Sequence, residues 1–123
     1  MFTHVMVGAD DIDASRTFYD ATFNIIGVEP GTIDRLGRLF YQQSGIAFGV
    51  TLPINGEPAS PANGGTIGFL AASPEQVDAW HEAGLKAGGT SCEDPPGVRE
   101  SFGAYAAYLR DPAGNKLCLS CRL

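Results

Sequence analysis

The polar and apolar positions of this chain follow two patterns, a strand-like alternation and a helix-like repeat, and both patterns occur twice. Residues 3–7 alternate and contain β-branched side chains, which predicts a strand. Asp10 and Asp11 then offer helix N-caps and Gly27 offers a stop, so a helix is expected over residues 12–25. Its predicted apolar stripe consists of Ala14, Phe18, Ala21 and Ile25. Three short strands are expected near residues 28–33, 38–42 and 46–52.

The second half of the chain repeats this order after a segment that lacks it. Residues 54–64 are rich in Pro, Gly and Asn, which is typical of a linker. Residues 66–70 predict a strand. Residues 73–76 (Ser-Pro-Glu-Gln) predict a capping box with proline at the first helical position. Val77 and Trp80 then anchor a second predicted helix.

Aligning the two halves pairs their first strands residue by residue. The pairs are His4 with Thr66, Val5 with Ile67, and Val7 with Phe69. Because side chains alternate along a strand, the two valines and their partners share one face, and His4 and Thr66 lie on the other. An offset of about half the chain between similar patterns indicates an internal repeat. We therefore expect one domain over residues 1–123 that contains two modules, residues 1–53 and 65–123.

The end of the chain contains a hairpin with a distinctive turn. Residues 111–115 read Asp-Pro-Ala-Gly-Asn between two short apolar segments, which predicts a five-residue hairpin loop. This turn and the strand after it resemble the closing hairpin of the glyoxalase/bleomycin resistance/extradiol dioxygenase group, the vicinal oxygen chelate superfamily. Together with the internal repeat, the resemblance covers essentially the whole chain.

The resemblance implies an α+β fold. Two βαβββ modules are then expected side by side, with mixed sheets that curl into a cleft and helices that cover the outer faces of the sheets. Metal-dependent members of the superfamily hold a divalent ion in this cleft. Their ligands lie on the first and fourth strands of the first module and on the opening and final strands of the second module.

Only part of that ligand pattern is present in this chain. His4 matches the first position, whereas residues 48–50 (Phe-Gly-Val) offer no donor at the fourth-strand position. Thr66 stands in place of a histidine and Cys118 in place of a glutamate. A catalytic metal site generally requires three good protein ligands, so we expect no metal, with His4 and Cys118 as residual candidates. A Cys–His dyad of these two residues is an alternative, but a thiol nucleophile needs an activating base or cation.

We therefore predict that the cleft binds a small organic ligand without the usual divalent metal or another cofactor. The expected lining residues are His4, Met6, Phe40, Thr66, Arg99, Tyr105 and Cys118, with Tyr41 and Tyr108 as alternatives that strand register decides. Similarity to antibiotic-sequestering relatives implies a homodimer. The alternative function is a metal-dependent lyase, isomerase or dioxygenase with displaced ligands, for which Glu57, Glu93 and Glu100 are candidates. A third interpretation is a structural or regulatory dimer whose cleft is filled by its own side chains.

Composition narrows the partners and the compartment. The formal charge of −6 repels phosphodiester backbones and acidic membranes, so we expect neither nucleic-acid nor membrane binding. The chain has no apolar run of membrane-spanning length and no export signal, which predicts a cytoplasmic protein. The three cysteines are then expected to be reduced thiols. Cys118 and Cys121 lie three residues apart on a predicted strand, so their sulfurs are expected on opposite faces.

Overall fold

The computed structural model describes the whole chain, residues 1–123, and shows an α+β fold in two modules, as predicted. The first module contains β1 (His4–Gly8), α1 (Ile12–Ile25), β2 (Thr32–Ile33), β3 (Leu39–Gln43) and β4 (Ile46–Thr51). The second contains β5 (Ile67–Leu70), α2 (Pro74–Lys86), β6 (Thr90–Ser91), β7 (Gly97–Arg99), β8 (Ala104–Arg110) and β9 (Lys116–Arg122). A 3₁₀ turn at Glu100–Phe102 connects β7 to β8. Neither helix is long and apolar enough to cross a membrane.

The two modules form two separate sheets with matching strand orders. The first sheet has the order β1-β4-β3-β2 and the second the order β5-β9-β8-β6, with β7 also paired to β8. β6 and β7 together therefore take the place that β2 occupies alone in the first module. In each sheet the first and last strands of the module are parallel, and the other pairs are antiparallel. β1 and β5 are consequently edge strands.

The first helix begins and ends at predicted residues, but its buried face differs from the predicted stripe. Asp11 caps the N-terminus by accepting the Ala14 N–H at 3.0 Å, and Gly27 follows the C-cap with a φ of +80°. Of the predicted stripe, Phe18 alone is fully buried. The buried residues of α1 are Ser15, Phe18, Tyr19, Thr22 and Phe23.

The buried face of α1 closely approaches α2 at Gly84. A side chain at Gly84 of α2 would collide with Leu109, and it would lie 3.3 Å from the Thr22 methyl group. The Phe18 ring of α1 would lie 3.2 Å from the same added Cβ, so the absence of a side chain at Gly84 gives α1 its room. Thr22 satisfies its buried hydroxyl by donating to the Phe18 carbonyl at 3.0 Å. The predicted stripe contained apolar side chains only, so it did not include Ser15 and Thr22, which are also buried on this face.

The start of α2 is capped as predicted, with one difference in the partners. The Ser73 hydroxyl accepts the Gln76 N–H at 3.2 Å, and Pro74 occupies the first helical position. The Gln76 side-chain oxygen accepts the N–H of Ala72 instead of that of Ser73. Its amide nitrogen donates to the Ile25 carbonyl at the end of α1, 2.9 Å away. Gln76 therefore also connects the two modules.

Both helices and one face of each sheet enclose a single hydrophobic core. We call the opposite face of each sheet its helix-free face. Phe23 and Phe48 of the first module pack against Phe69 of the second, with ring centroids 5.1 and 5.6 Å apart. Val5, Val7, Ile67 and Phe69 also pack against this core, so the predicted alternation along β1 and β5 is confirmed. The two modules therefore share one hydrophobic core.

A buried carboxylate joins the closing hairpin to the first module. Asp111, 3% exposed, accepts the Tyr19 hydroxyl at 2.6 Å. It also accepts the N–H of Ala113, the N–H of Asn115 and the Asn115 side-chain amide, each at 2.9 Å. The same Asn115 amide donates to the Gly8 carbonyl at the end of β1, 3.0 Å away. Burial and the neighbouring Asp111 charge raise the pKa of Tyr19 well above its usual value, so its hydroxyl remains a donor.

We predict that Tyr19→Phe lowers the free energy of unfolding by about 2 kcal/mol, because the buried carboxylate loses a donor that water cannot replace. Urea denaturation measures the loss. Tyr105→Phe is the matched control, since the Tyr105 hydroxyl also donates to a carboxylate, that of Asp78, but at the surface. Its loss is expected to be much smaller, and equal losses in the two variants would contradict a special role for the Asp111 contact.

Candidate functional site

A groove of about 740 Å³ lies between the two modules, beside the edge strands β1 and β5. It is lined by residues from β1, the end of α1, β3, β4 and β5. Twelve of its 17 lining residues are hydrophobic, so the groove is suited to an apolar molecule. We call the buried part of the groove its floor and the exposed part its mouth.

Aromatic side chains of the shared core form the floor of the groove. They are Phe23, Tyr41, Phe48 and Phe69. The Tyr41 hydroxyl donates to the Asp20 carboxylate at 2.7 Å, so it is already bonded within the chain. Burial and this hydrogen bond raise the pKa of Tyr41, which keeps the hydroxyl protonated at neutral pH.

The mouth of the groove combines exposed apolar and neutral polar side chains. Phe2, Ile46 and Leu70 are 63%, 42% and 78% exposed, and all three line the same groove, so they form an apolar patch at its mouth. The polar residues at the mouth are Gln42, Gln43, Ser44 and Thr66. None of the 17 lining residues is charged. The mouth therefore offers neutral hydrogen-bonding groups beside an apolar interior.

Of the residues predicted to line a cleft, Thr66 lines this groove, and so does Tyr41, which was the alternative to Phe40. His4 is exposed on β1, where its Nδ1 lies 2.8 Å from the Thr3 hydroxyl oxygen. Met6 and Phe40 lie on the helix-free face of the first sheet, over Gly49 of β4. A Cβ added at Gly49 would lie 2.4 Å from the Met6 sulfur, so the thioether fills that space.

The remaining predicted residues lie on the second sheet. Cys118 is 7% exposed on the helix-free face of β9, opposite Tyr108 of β8. The Arg99 guanidinium carbon is 5.7 Å from the centre of the Tyr108 ring. This guanidinium donates to the carbonyls of Asp94 and Pro95 at 2.8 and 3.0 Å, which keeps it folded against its own loop. Arg99, Tyr108 and Cys118 therefore form one group, separate from the groove.

Strand register decides between the two tyrosines that the sequence left as alternatives. Tyr105 lies on the helix side of β8, where its hydroxyl donates to Asp78 of α2 at 2.7 Å. Tyr108 is three residues further along the strand and faces the other way, toward Cys118. Tyr105, the residue predicted to line the cleft, thus lies on the face opposite Cys118. Cys121, by contrast with Cys118, belongs to the core, so the two sulfurs lie on opposite faces as predicted.

The donor atoms of this chain do not fit the divalent metal site that the family resemblance implies. His/Cys/Asp/Glu side chains do not form any group of three that could hold a metal ion. The fourth-strand position is Gly49, because Phe48 and Val50 point into the core. Burial raises the pKa of the Cys118 thiol, and Tyr108 and Arg99 offset this only in part, which disfavours a thiolate ligand.

The three glutamates that the sequence suggested as displaced ligands do not complete a metal site either. Glu93 forms an ion pair with Lys116. Glu57 lies exposed in the linker, and Glu100 lies exposed in the 3₁₀ turn. Since these groups are not assembled around one point, we derive no chemical step through a metal ion.

Comparison with known proteins identifies the family. A sequence model of the Glyoxalase/Bleomycin resistance protein/Dioxygenase superfamily matches residues 1–119. The chain therefore belongs to this superfamily, which confirms the resemblance drawn from the closing hairpin and the repeat. A search of curated proteins finds no match.

Solved structures agree with this assignment. The chain is similar to a glyoxalase/bleomycin resistance protein from Albidiferax ferrireducens T118, at 52% identity and a TM-score of 0.94, covering 100% of this chain and 99% of that one. A glyoxalase-related enzyme from Fulvimarina pelagi is 21% identical with a TM-score of 0.76, covering 99% and 88% of the two chains. Lactoylglutathione lyase from Agrobacterium tumefaciens is 24% identical with a TM-score of 0.68, covering 98% and 92%. The last two likenesses establish the shared fold alone.

We predict that Cys118 reacts slowly with thiol reagents in the folded protein, because it is buried and its thiol has a raised pKa. Titration with 5,5′-dithiobis(2-nitrobenzoate) should show one fast thiol, the half-buried Cys92, and two that react only on unfolding. Cys92→Ser should remove the fast phase, whereas Cys118→Ser should retain it. A fast phase that disappears in Cys118→Ser would instead indicate an activated Cys118.

Proposed function

We propose that this protein binds a small organic ligand in the groove between its modules, without a divalent metal and without chemical turnover. The observation that supports this proposal is the groove itself, about 740 Å³ with an aromatic floor and a neutral mouth. Its volume lies within the range of small-molecule sites, and its apolar lining with a few polar groups is the usual composition of such sites.

Burial of apolar surface supplies the binding energy in this proposal. Removing about 200 Å² of apolar ligand surface from water contributes roughly 5 kcal/mol before the cost of immobilising the ligand. The aromatic rings of the floor are already packed against one another, with Phe23 and Phe48 centroids 5.4 Å apart. The floor is thus preorganised, which reduces the side-chain entropy lost on binding.

The chemistry of the lining favours binding over catalysis. General acid–base catalysis requires a titratable group within hydrogen-bond reach of the reacting atoms. Tyr41 is the one titratable residue of the lining, and its hydroxyl is bonded to Asp20 and has a raised pKa. His4 and Cys118, the candidates for a Cys–His dyad, do not line the groove. The chain therefore supplies no acid or base to a molecule bound there.

We predict that the neutral fluorescent probe N-phenyl-1-naphthylamine binds saturably, with one molecule per chain. The increase in its fluorescence measures the binding. Val5→Phe should weaken this binding at least about 10-fold, because the larger side chain occupies part of the groove. Val98→Phe is the matched control, since Val98 is an exposed strand residue outside the groove. Equal affinity in the two variants, or no saturable binding, would contradict the proposed site.

The same titration tests the absence of a metal requirement. Probe binding should be unchanged by chelator or by added zinc or nickel. Metal analysis of the purified protein provides the opposing test. One tightly held divalent ion per chain that is lost in His4→Ala would overturn the metal-free proposal.

We also propose that a second copy of this chain covers the mouth of the groove, giving a homodimer. Two copies with a net charge of −6 repel each other, and this repulsion is smallest when the surfaces that meet carry no charged side chains. The mouth is such a surface, and it exposes Phe2, Ile46 and Leu70. The edge strands β1 and β5 beside it leave backbone groups free for contact with another chain.

We expect Leu70→Glu to convert the dimer to a monomer, because two buried carboxylates would face an apolar contact. Light scattering after size-exclusion chromatography measures the mass. Leu36→Glu is the control, since Leu36 is 68% exposed in the turn before β3 and lies outside the groove. A monomeric wild-type protein, or a Leu70→Glu variant that remains dimeric, would contradict this contact.

A further inference from the structure

The helix-free face of the second sheet carries a concentration of positive charge. Arg99, Arg110 and Lys116, which we call the cation cluster, lie around Tyr108 on this face. They are three of the eight Lys and Arg residues in a chain that has 14 Asp and Glu residues. Only one acidic side chain, that of Glu93, forms an ion pair with the cluster. The local charge is therefore positive in a protein whose overall charge is −6.

Two members of the cation cluster are placed where they repel each other. Lys116 of β9 lies directly opposite Arg110 of β8 in the antiparallel register. Leu109 and Leu117, the next pair along the two strands, belong to the core, so both cationic side chains leave the sheet on its other face. Like charges at directly opposed positions destabilise a sheet. An anion bound beside them would reduce this repulsion.

The two guanidinium groups of the cluster have no carboxylate partner. Arg110 donates to the Gly114 carbonyl at 2.8 Å. The acceptors of Arg99 are the carbonyls of Asp94, Pro95 and Gly97, at 2.8, 3.0 and 3.2 Å. Carbonyl oxygens satisfy N–H groups but carry no net charge, and hydrogen bonds to an ionised acceptor are stronger. Both guanidinium charges are therefore uncompensated and would attract an anion.

Glu93 reaches the cluster from an exposed loop and in an unfavourable backbone conformation. It lies between β6 and β7, and its φ of +59° is in the left-handed region, which is uncommon for a residue with a side chain. The Glu93 side chain is 48% exposed, whereas that of Lys116 is 23% exposed. The carboxylate thus covers the ammonium group from the solvent side. Another anion can replace it without any opening of the core.

We infer that the cation cluster binds a small carboxylate anion, and that the Glu93 carboxylate occupies this site when no such ligand is bound. The ligand class follows from Glu93 itself, since Lys116 already pairs with a carboxylate here. A planar guanidinium group also matches the geometry of a carboxylate. Neither Glu93 nor any member of the cluster lines the groove. The inferred site is therefore separate from the groove and its mouth, and it does not depend on the ligand proposed there.

Titration of the protein with malonate at constant ionic strength tests the inference. Proton–nitrogen NMR correlation spectra of the backbone amides measure the binding and locate it. We expect saturable shifts of the amides of residues 92–99 and of Lys116, because the ligand displaces Glu93 and changes the contacts of its loop. Malonamide, a neutral molecule of similar shape, should produce no such shifts. Equal shifts with malonamide, or no saturable shift with malonate in either the wild-type protein or Glu93→Gln, would overturn the inference.

Two substitutions with opposite expected effects provide the second test. Glu93→Gln should tighten malonate binding at least about 3-fold, because it removes the competing carboxylate, and Lys116→Gln should weaken it at least about 5-fold. Glu82→Gln and Lys86→Gln are the matched controls, since they make the same charge changes in an exposed ion pair on α2. Both controls should stay within about 2-fold of the wild-type affinity, because salt screens distant charges. Equal effects in the two ion pairs would indicate unspecific attraction and contradict the inferred site.

Discussion

Asp111 places a carboxylate that is 3% exposed at the contact between the two modules, and no cation pairs with it. A buried charge of this kind is tolerated only when its lone pairs are satisfied. Three of its four donor groups come from its own hairpin loop, and the fourth, the Tyr19 hydroxyl, comes from α1. The loop can therefore adopt its structure locally, but it is fully satisfied only when docked on the first module. This requirement fixes how the two modules meet.

That arrangement also explains why a groove exists. The modules are joined by the helix–helix contact, by Gln76 at the end of α1, and by the Asp111 loop at the end of β1. None of these contacts pairs β1 with β5, so the two sheets stay separate and their edge strands diverge around an opening. The aromatic residues that seal the core at this point become the floor of the groove. The groove is thus a consequence of how two similar modules are joined.

The elements and the family could be predicted from sequence because they depend on local signals. The closing turn, the helix caps and the alternation of β1 and β5 each require a few residues in fixed order. The groove could not be predicted, because Phe48 and Phe69 read equally as core residues. Their exposure to a cavity depends on contacts between modules that are distant in sequence. Likewise, the choice between Tyr105 and Tyr108 required the register of β8, which alternation alone does not fix.

The two helix-free faces show how the residues expected to line a cleft are packed in this chain. On the first sheet, Met6 fills the space over Gly49, where a larger fourth-strand residue would need room. On the second sheet, Cys118 lies beside Tyr108, whose ring is covered by the Arg99 and Lys116 cations. Side chains of the protein thus pack at two of the four positions where the superfamily's metal ligands would stand, the fourth strand of the first module and the final strand of the second. A ligand there would have to displace packed groups, whereas the groove between the modules already provides open apolar volume. Binding in the groove therefore requires the smaller rearrangement of this chain.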